Sequence, residues 1–485
     1  MRKRFEQQLT IGKRLIEETV IPIAKRNGPL PALCAALKEI YVNPKWNEKV
    51  FKILEDAILP ANNNTGRPGM NLWQVFVLAQ VRLCQNISYD DLHYTANCDK
   101  LIRQLMGVEN EFGYEVEKIS YQRIVDNVDL LSDETVRELN AVIVDFGHEV
   151  FKKKDEEALH LKTDSFVVES NVHFPTDYNL LWDSARKCLD MVGKLLEKQH
   201  FSGWRKLNDW RKDLKNLMRA LGVASASGGK GKDKRVKNAA QNYLVKARAL
   251  LQKLDDFIIE YQSASIDQMF ILIALDRYRE LMQKHIDLVD RRILKGETIP
   301  HTEKMFSIFE EYTEWITKGK KRPSVELGKK AGITTDQFHL IVDYQVMDHQ
   351  ADSQIVPELA ERILLQFMVD SWSFDKGYWH KDNKELLSEK VNQLVLPKKG
   401  KRNKEEAVEG KTRLFKKLRN KHSAVESNIN ELEHRGLDRC PDRGYAHFKR
   451  YIGLAVGAYN LRKIGAELIA RETKGQEAPV GKRAA

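Results

Sequence analysis

The chain has few cysteines and no long apolar segment. Its five cysteines are scattered over 485 residues, and no two of them form a C-x-x-C pair. This spacing argues against a disulfide framework or a zinc site and suits a reducing cytosol. No apolar run approaches membrane-spanning length, and the basic opening MRKRFEQQLTIGKRL has no apolar core, so it does not predict a signal peptide. We therefore expect a soluble, cytoplasmic protein without membrane contact.

Acidic residues are also in deficit. The sequence has 69 aspartates and glutamates against 80 lysines and arginines, which gives a formal net charge of +11 and a pI near 9.1. A basic balance favours an acidic partner, and nucleic acid is the first such partner to consider. The length allows two or three domains, each with its own core.

Residues 1–150 read as a helical N-terminal region. Apolar side chains recur at helical spacing after Asn71, which predicts a helix capped by that residue. Ser88 and Asp91 have the form of a capping box that opens a further helix, which Gly107 could end. Two short helices joined by a tight turn fit a DNA-reading helix-turn-helix, and they also fit a small bundle without DNA contact. The pattern alone favours the bundle.

A change of pattern follows this region. Ala158–Ser170 is rich in β-branched and apolar residues, which predicts a strand. Residues 178–296 then read as amphipathic helices, interrupted by a Gly/Ser/Lys linker at 224–235. The apolar stripe through Leu250 and Leu254 predicts a packing seam within this helical insert.

Mixed structure returns after the insert. Two extended segments flank Asp336 and Gln337 as a predicted hairpin, and a helix, a strand, a short helix, a strand and two long helices follow. Without the insert, this is the element order of a ribonuclease-H-like fold. We therefore predict an α/β protein with a mixed sheet and flanking helices, an all-helical insert and a helical N-terminal domain. The expected catalytic domain comprises 151–177 and 297–470, and the tail 471–485 reads as disordered.

Three acidic residues can meet at one edge of such a sheet. Asp164 lies on the first strand, Asp375 ends the fourth, and Glu426 lies on the helix after the last. By itself, Asp375 followed by Lys376 and Gly377 is typical of an ordinary turn, because glycine can adopt backbone conformations that other residues avoid. Carboxylates are, however, the ligands that Mg²⁺ prefers. A two-metal site of this kind activates the attacking oxygen and stabilises the leaving oxygen of phosphoryl transfer.

Other residues compete for these roles. Asp352 is the alternative second acid, and Glu169 is expected to be solvated on the opposite face of its strand. His173 and His422 are better read as ordinary surface or core histidines, because Mg²⁺ prefers oxygen. The remaining candidates lie near the sheet edges or farther along the last helix: Asp343, Asp348, Glu431 and Glu433.

Three blocks of the sequence resemble one known family. The stretches LKTDSFVVESNVHFPTD, SWSFDKGYWHKDN and RNKHSAVESNINELEHRGLDR are similar to the motif blocks of DDE transposases from bacterial insertion sequences, most of all the ISNCY-type group. GRPGMNLWQVFVLAQVRLCQNISYDDLHYTANCDKLIRQLMG resembles their helical N-terminal domain. The likeness runs from about 60 to 465. It implies that Asp164, Asp375 and Glu426 are catalytic ligands of two Mg²⁺ or Mn²⁺ ions.

The resemblance departs from a common layout in one respect. Many DDE transposases carry a large insert between the last strand and the helix of the third acid. Here the long helical block lies between Asp164 and Asp375, so DNA contacts made by inserts of other transposases cannot be transferred.

A basic run lies beside the third acid. The stretch from 398 to 422 holds eleven lysines and arginines against three glutamates. Such runs are usually solvated loops, but next to Glu426 this one is expected to follow phosphates. The predicted DNA-binding residues are Lys376, Lys398, Lys399, Lys416, Lys417, Arg419 and Lys421.

The sequence therefore predicts a transposase. It would bind the terminal inverted repeats of its element as a homodimer or higher oligomer, free a 3′-hydroxyl and join it to target DNA. A non-catalytic DNA-binding relative and a Mg²⁺-dependent nuclease of the same fold stay open as alternatives.

Overall fold

The computed structural model describes residues 4, 5, 7, 11–22, 28–59, 69–112, 117–198, 201–317, 324–398, 400, 408 and 410–477. The chain divides into two compact units. We name them the sheet unit, Met1–Asn171 with Ile316–Ala485, and the helical unit, Val172–Trp315.

The sheet unit begins with helices whose starts are fixed by side-chain caps. The side chain of Asn71 accepts the Gln74 backbone N–H, and that of Ser88 accepts the Asp91 backbone N–H. Both predicted caps are therefore confirmed, although the helix that begins after Ser88 ends at Cys98, and a new one begins after Asp99. The helices are α1 Leu30–Val42, α2 Pro44–Ile58, α3 Leu72–Gln85, α4 Tyr89–Cys98, α5 Lys100–Leu105, α6 Tyr121–Val128 and α7 Asp133–Val150.

Helices α1, α3 and α7 pack against the last helix of the chain, Tyr445–Glu477, and residues 1–150 belong to the same compact unit as that helix. The contact is close. A Cβ at Gly465 would lie 1.6 Å from the carbonyl oxygen of Ala32, so only glycine fits there. A buried Arg82 guanidinium also donates to both carboxylate oxygens of Asp442, at 2.8 and 2.5 Å.

This last helix is longer than the sequence pattern indicated. It runs through the first seven positions of the tail predicted to be disordered, 471–485, and ends at Glu477. The predicted disorder is wrong for those seven positions. Helix-forming residues continue past the last predicted turn, and Arg471 pairs with Glu467 one turn earlier at 2.9 Å, which supports the extension.

A mixed sheet of seven strands forms the centre of the sheet unit. β3 is antiparallel to β1 and β4 is antiparallel to β3, whereas β5 is parallel to β1 and β6 is parallel to β5. β7 pairs in parallel with the far end of β1. The strands are β1 Leu159–Ser170, β2 Glu314–Thr317, β3 Val325–Thr335, β4 Ile341–Val346, β5 Val369–Phe374, β6 Gln393–Val395 and β7 Arg439–Cys440.

The predicted hairpin around Asp336 is confirmed. Ile333 of β3 lies opposite Tyr344 of β4, and the buried Asp336 carboxylate accepts the backbone N–H groups of Phe338 and Leu340 at 2.8 and 2.9 Å. It also bonds His148 at 2.8 Å, which ties the turn to α7. These bonds satisfy a carboxylate that would otherwise be costly to bury.

Among the described residues after β4, four helices belong to the sheet unit. Buried side chains on one side of the sheet, among them Trp372, Phe374 and Tyr378, form a core with the first of these helices. The ring centroids of Trp372 and Phe374 are 5.0 Å apart, which suits an offset aromatic pair. The helices are α12 Val356–Gln366, α13 Lys381–Ser388, α14 Arg413–Leu432 and α15 Tyr445–Glu477.

The helical unit contains the predicted insert. Its core includes the fully buried Leu250 and Leu254 of the predicted seam, and none of the described residues from 172 to 313 lies in a strand. The helices are α8 Asp177–Leu196, α9 Leu207–Ala226, α10 Lys232–Glu260 and α11 Ile266–Val289.

The predicted linker at 224–235 is mostly helical. One helix continues to Ala226 and the next begins at Lys232. Alanine, lysine and arginine are good helix formers, so only the glycine-rich centre stays outside the helices. Gly229 and Gly231 have φ values of +91° and +76° there, a conformation that favours glycine.

In the described part of the chain, no helix combines the length and the apolar character needed to cross a membrane.

Candidate active site

Two of the predicted acids lie on neighbouring parallel strands, Asp164 in the middle of β1 and Asp375 directly after the end of β5. Thr163 of β1 is in register with Phe374 of β5, so Asp164 and Asp375 follow at the same level of the sheet. Glu426 lies on α14, which packs against both β1 and β5. The fold therefore brings to one sheet edge three residues that are far apart in the sequence.

Asp375 has a local structural role as well. Its carboxylate accepts the Gly377 backbone N–H at 3.4 Å and caps the short turn Lys376–Tyr378. The side chain is nevertheless exposed. An exposed carboxylate with one weak bond keeps its other lone pairs available for a ligand.

The electrostatics of Asp164 show that these carboxylates are neighbours. The pKa of Asp164 is raised to about 7, mainly by burial, against a bond from the Ser165 backbone N–H. That bond is 2.7 Å long. The negative charges of Asp375, Glu426 and Asp352 contribute to the increase. The repulsion is what a cluster of carboxylates experiences before a cation neutralises it. The ligand oxygens of Asp164, Asp375 and Glu426, all within the described residues, do not all come within 4.8 Å of one another.

Asp352, the alternative second acid, is held by neighbours on both sides of the site. Its carboxylate accepts the Ser165 hydroxyl at 2.8 Å and the Lys330 ammonium at 3.2 Å. It also lies against Gly377, where a Cβ would come within 2.7 Å of its Oδ2. Asp352 therefore connects the segment that carries Asp164 to the segment that carries Asp375.

The other acids near the sheet each have a cationic partner. Asp343 pairs with Arg362 at 2.9 Å, and Glu169 with Arg439 at 3.4 Å. Asp348 pairs with Lys329, whose bond lowers the pKa of the Asp348 carboxyl. These pairs give the three acids a structural role away from Asp164.

Of the alternative third acids, Glu431 points away from Glu426. Glu431 lies five residues after Glu426, which is about 140° around the helix, and it pairs with Lys463 at 2.9 Å and with Arg462. Glu433 begins the kinked turn Glu433–Leu437 that ends α14.

His422, which the sequence pattern predicts to be an ordinary histidine, is a neighbour of the acids. Its Nδ1 bonds the Ser373 hydroxyl at 3.0 Å, and its buried Nε2 has no hydrogen-bond partner among the described residues. Burial lowers the pKa of His422, although the charges of Asp375 and Glu426 oppose this. Its spacing of four residues before Glu426, one helical turn, is a signal that could have placed it here. His173, in contrast, lies in the helical unit and pairs with Asp183 at 3.3 Å.

The predicted DNA-binding residues line the exposed surface beside these acids. Lys416, Lys417, Arg419 and Lys421 are all exposed on α14, upstream of Glu426 on the same helix, and Lys376 is exposed directly after Asp375. The Lys398 ammonium lies 5.1 Å from the centre of the Trp379 ring. Lys399 lies outside the described residues.

Residues 286–461 match the family model of the transposase DDE domain. The match supports a DDE-type transposase. The matched range includes Asp375, Glu426 and Asp352, whereas Asp164 lies before it. The assignment of the three acids as catalytic residues stays a prediction. Comparison with curated proteins found no match, and comparison with solved structures found none.

Proposed function

We propose that this protein is the DNA transposase of an insertion sequence, with Asp164, Asp375 and Glu426 as its catalytic residues. The observation that carries the proposal is the meeting of these acids at one sheet edge, where their mutual repulsion contributes to the raised pKa of Asp164. Such perturbed groups are typical of functional sites. The likeness to ISNCY-type enzymes supports the same assignment.

The donor set fits divalent metal ions. All three side chains offer carboxylate oxygens, the ligands of Mg²⁺ and Mn²⁺, and a cation would relieve the repulsion among them. When bound, two ions supply the positive charge that activates an attacking oxygen and stabilises the leaving oxygen of the phosphodiester. The protein's part is to hold the carboxylates on the middle of β1, directly after β5 and on α14.

The fold supports the proposal as well. The sheet order, with β4 next to β3, then β1, β5 and β6, has the pattern of a ribonuclease-H-like domain with the helical unit as an insert. The exposed cations Lys376, Lys416, Lys417, Arg419 and Lys421 would bind DNA phosphates, as would Lys398 and Lys399. Residues 1–150 would contact the terminal inverted repeats, in a homodimer or higher oligomer on DNA.

The decisive experiment incubates the full chain with duplex DNA that carries the element's own ends, with Mg²⁺ or Mn²⁺, and scores both cleavage and joining. Asp375→Asn removes one ligand charge at nearly constant shape, so cleavage should be lost while DNA affinity is kept. The matched control is Asp382→Asn, because that side chain is 80 % exposed, on α13, and belongs to none of the proposed contacts.

Each further outcome points to a different function. If the Asp375→Asn variant still cuts, Asp375 is a turn residue and Asp352 becomes the candidate. Cleavage without joining would favour a metal-dependent nuclease of the same fold, and binding without cleavage a non-catalytic relative. Short inverted repeats flanking the coding region would favour transposition over both.

A further inference from the structure

A cleft of about 580 Å³ opens beside the candidate active site, within the sheet unit. Its walls come from the first half of β1, from β5 and β6, from the hairpin turn after β3 and from the first half of α14. This volume is in the range that protein sites use for ligands of nucleotide size. The lining residues that matter here are His160, Lys162, Asp370, Leu414, Lys417 and Lys421.

The cleft has an excess of positive charge. It is lined by Lys162, Lys417 and Lys421, and Asp370 is the one carboxylate among its described lining residues. That carboxylate is already engaged, since it accepts the Asn392 side-chain amide at 3.1 Å and lies 3.6 Å from His160. Three ammonium groups around a concave polar surface favour an anionic ligand.

Lys162 is the unusual member of this group. Its residue is only 8 % exposed, yet among the described residues the ammonium makes a single bond, to the Asp336 carbonyl oxygen at 3.1 Å. No carboxylate among the described residues forms an ion pair with it. The Asp336 carboxylate, already bonded to His148 at 2.8 Å, adds a favourable charge, whereas Lys421 adds an unfavourable one. A buried cation placed next to another cation is unfavourable unless an anion joins them.

The cleft continues directly to the acids. Lys162 and Asp164 are two residues apart on β1, so they project from the same face, about 7 Å apart. On α14, Lys417 and Lys421 share a face one turn apart. His422, whose Nε2 has no hydrogen-bond partner among the described residues, follows Lys421 and interacts with the charges of Lys162, Asp375 and Glu426. Cations and carboxylates thus follow one another along a single groove between the sheet and the helix.

We infer that this cleft binds one or two unpaired nucleotides of the DNA strand that continues past the phosphodiester at the acids. The backbone phosphates would contact Lys162, Lys417 and Lys421, and the half-exposed Leu414 would cover a sugar or base. The inference rests on the proposed function. It adds to that function a single-stranded part of the DNA substrate. It also adds Lys162 as a residue that contacts phosphate and that lies outside the basic run at 398–422.

The test uses the neutral variant Lys162→Met and the control Lys390→Met, an exposed lysine in the turn after α13. Fluorescence anisotropy in EDTA measures binding to duplex DNA that is blunt or carries a three-nucleotide single-stranded extension at either end. The wild-type chain should bind one extended duplex more tightly than the blunt one. Lys162→Met should lose this preference, and the slope of log affinity against log salt should flatten by about 0.7 for the lost single-strand phosphate contact.

Two results would overturn the inference. The first is that Lys162→Met keeps both the wild-type salt slope and the preference for the extended duplex. The second is that a free deoxynucleoside monophosphate competes for binding as well as the extended DNA does, which would make the cleft a mononucleotide site. Lys421→Gln, exposed on α14, should give the same direction of change and guards against misfolding of the Lys162 variant. Because binding is measured without metal, failure of this inference is distinct from absence of cleavage in the transposition assay.

Discussion

Replacing Asp164 with asparagine should stabilise the metal-free sheet unit, and more so as the pH rises. The folded-state pKa of Asp164 is raised from 3.8 to about 7. Between these two values the folded state binds a proton that the unfolded state has released, so the wild-type chain loses stability as the pH rises. Asparagine stays neutral and avoids this loss.

The magnitude follows from the two pKa values. One unit of difference corresponds to 1.36 kcal/mol, so the raised pKa of Asp164 destabilises the fold by about 1.5 kcal/mol at pH 5 and by about 4 kcal/mol at pH 8. The advantage of Asp164→Asn over wild type should therefore grow by about 2.5 kcal/mol between these pH values. Most of the increase should appear below pH 7, because above that pH both the folded and the unfolded state of the wild type approach full ionisation.

The measurement is urea unfolding in EDTA, followed by hydrogen exchange in peptides that cover β1, so that it reports on the sheet unit. Glu361→Gln, an exposed acid on α12, is the control and should show the same pH dependence as wild type. Adding Mg²⁺ at pH 8 should stabilise wild type and narrow its gap to the asparagine variant. A difference that stays constant from pH 5 to pH 8 would refute the assignment of Asp164 to a repulsive carboxylate cluster.

Three further predictions concern other parts of the molecule. Neutralising Lys416, Lys417 and Arg419 together should weaken DNA binding and flatten its salt slope by up to about 0.9 per lost phosphate contact, whereas cleavage should partly recover at low salt; an unchanged slope would remove these residues from the DNA surface. Asp352→Asn should slow cleavage without changing DNA affinity, because its bonds position the two acid-bearing segments, and cleavage at the wild-type rate would contradict that role. Leu254→Ala should cost about 2–5 kcal/mol in the helical unit, measured by calorimetry, because the side chain is fully buried; a loss below 1 kcal/mol would show that the core relaxes around it.

Local patterns in the sequence were sufficient for most elements. The strand through Asp164, the hairpin at Asp336 and the helix through Glu426 were predicted near their observed positions, because alternation, turn residues and helical spacing are short-range signals. The end of the last helix was missed because the short-range signals there are weak. Its final turns, up to Glu477, carry polar helix formers that composition alone cannot distinguish from a solvated tail.

Long-range relations limited the prediction of the site. The sequence left Asp352 as an alternative to Asp375 for the second catalytic acid. Only the fold shows that Asp352 is bonded to Ser165 and Lys330. Lys162 lay inside a strand without any basic neighbour pattern, so nothing local marked it as part of a charged cleft. The other two lysines of the cleft, Lys417 and Lys421, come from α14, which is distant in sequence and is placed by tertiary packing.

The position of β1 also has consequences for how the chain folds during synthesis. β1 is complete before the helical unit is made, but its partners β3, β5 and β7 all follow that unit. Closing so long a loop slows folding, and shortening a loop tenfold reduces the closure cost by about 2 kcal/mol. If the helical unit folds first, the loop between β1 and β3 becomes effectively shorter and costs less to close. Until then, β1 emerges from the ribosome as an unpaired strand, with the open edges that promote aggregation.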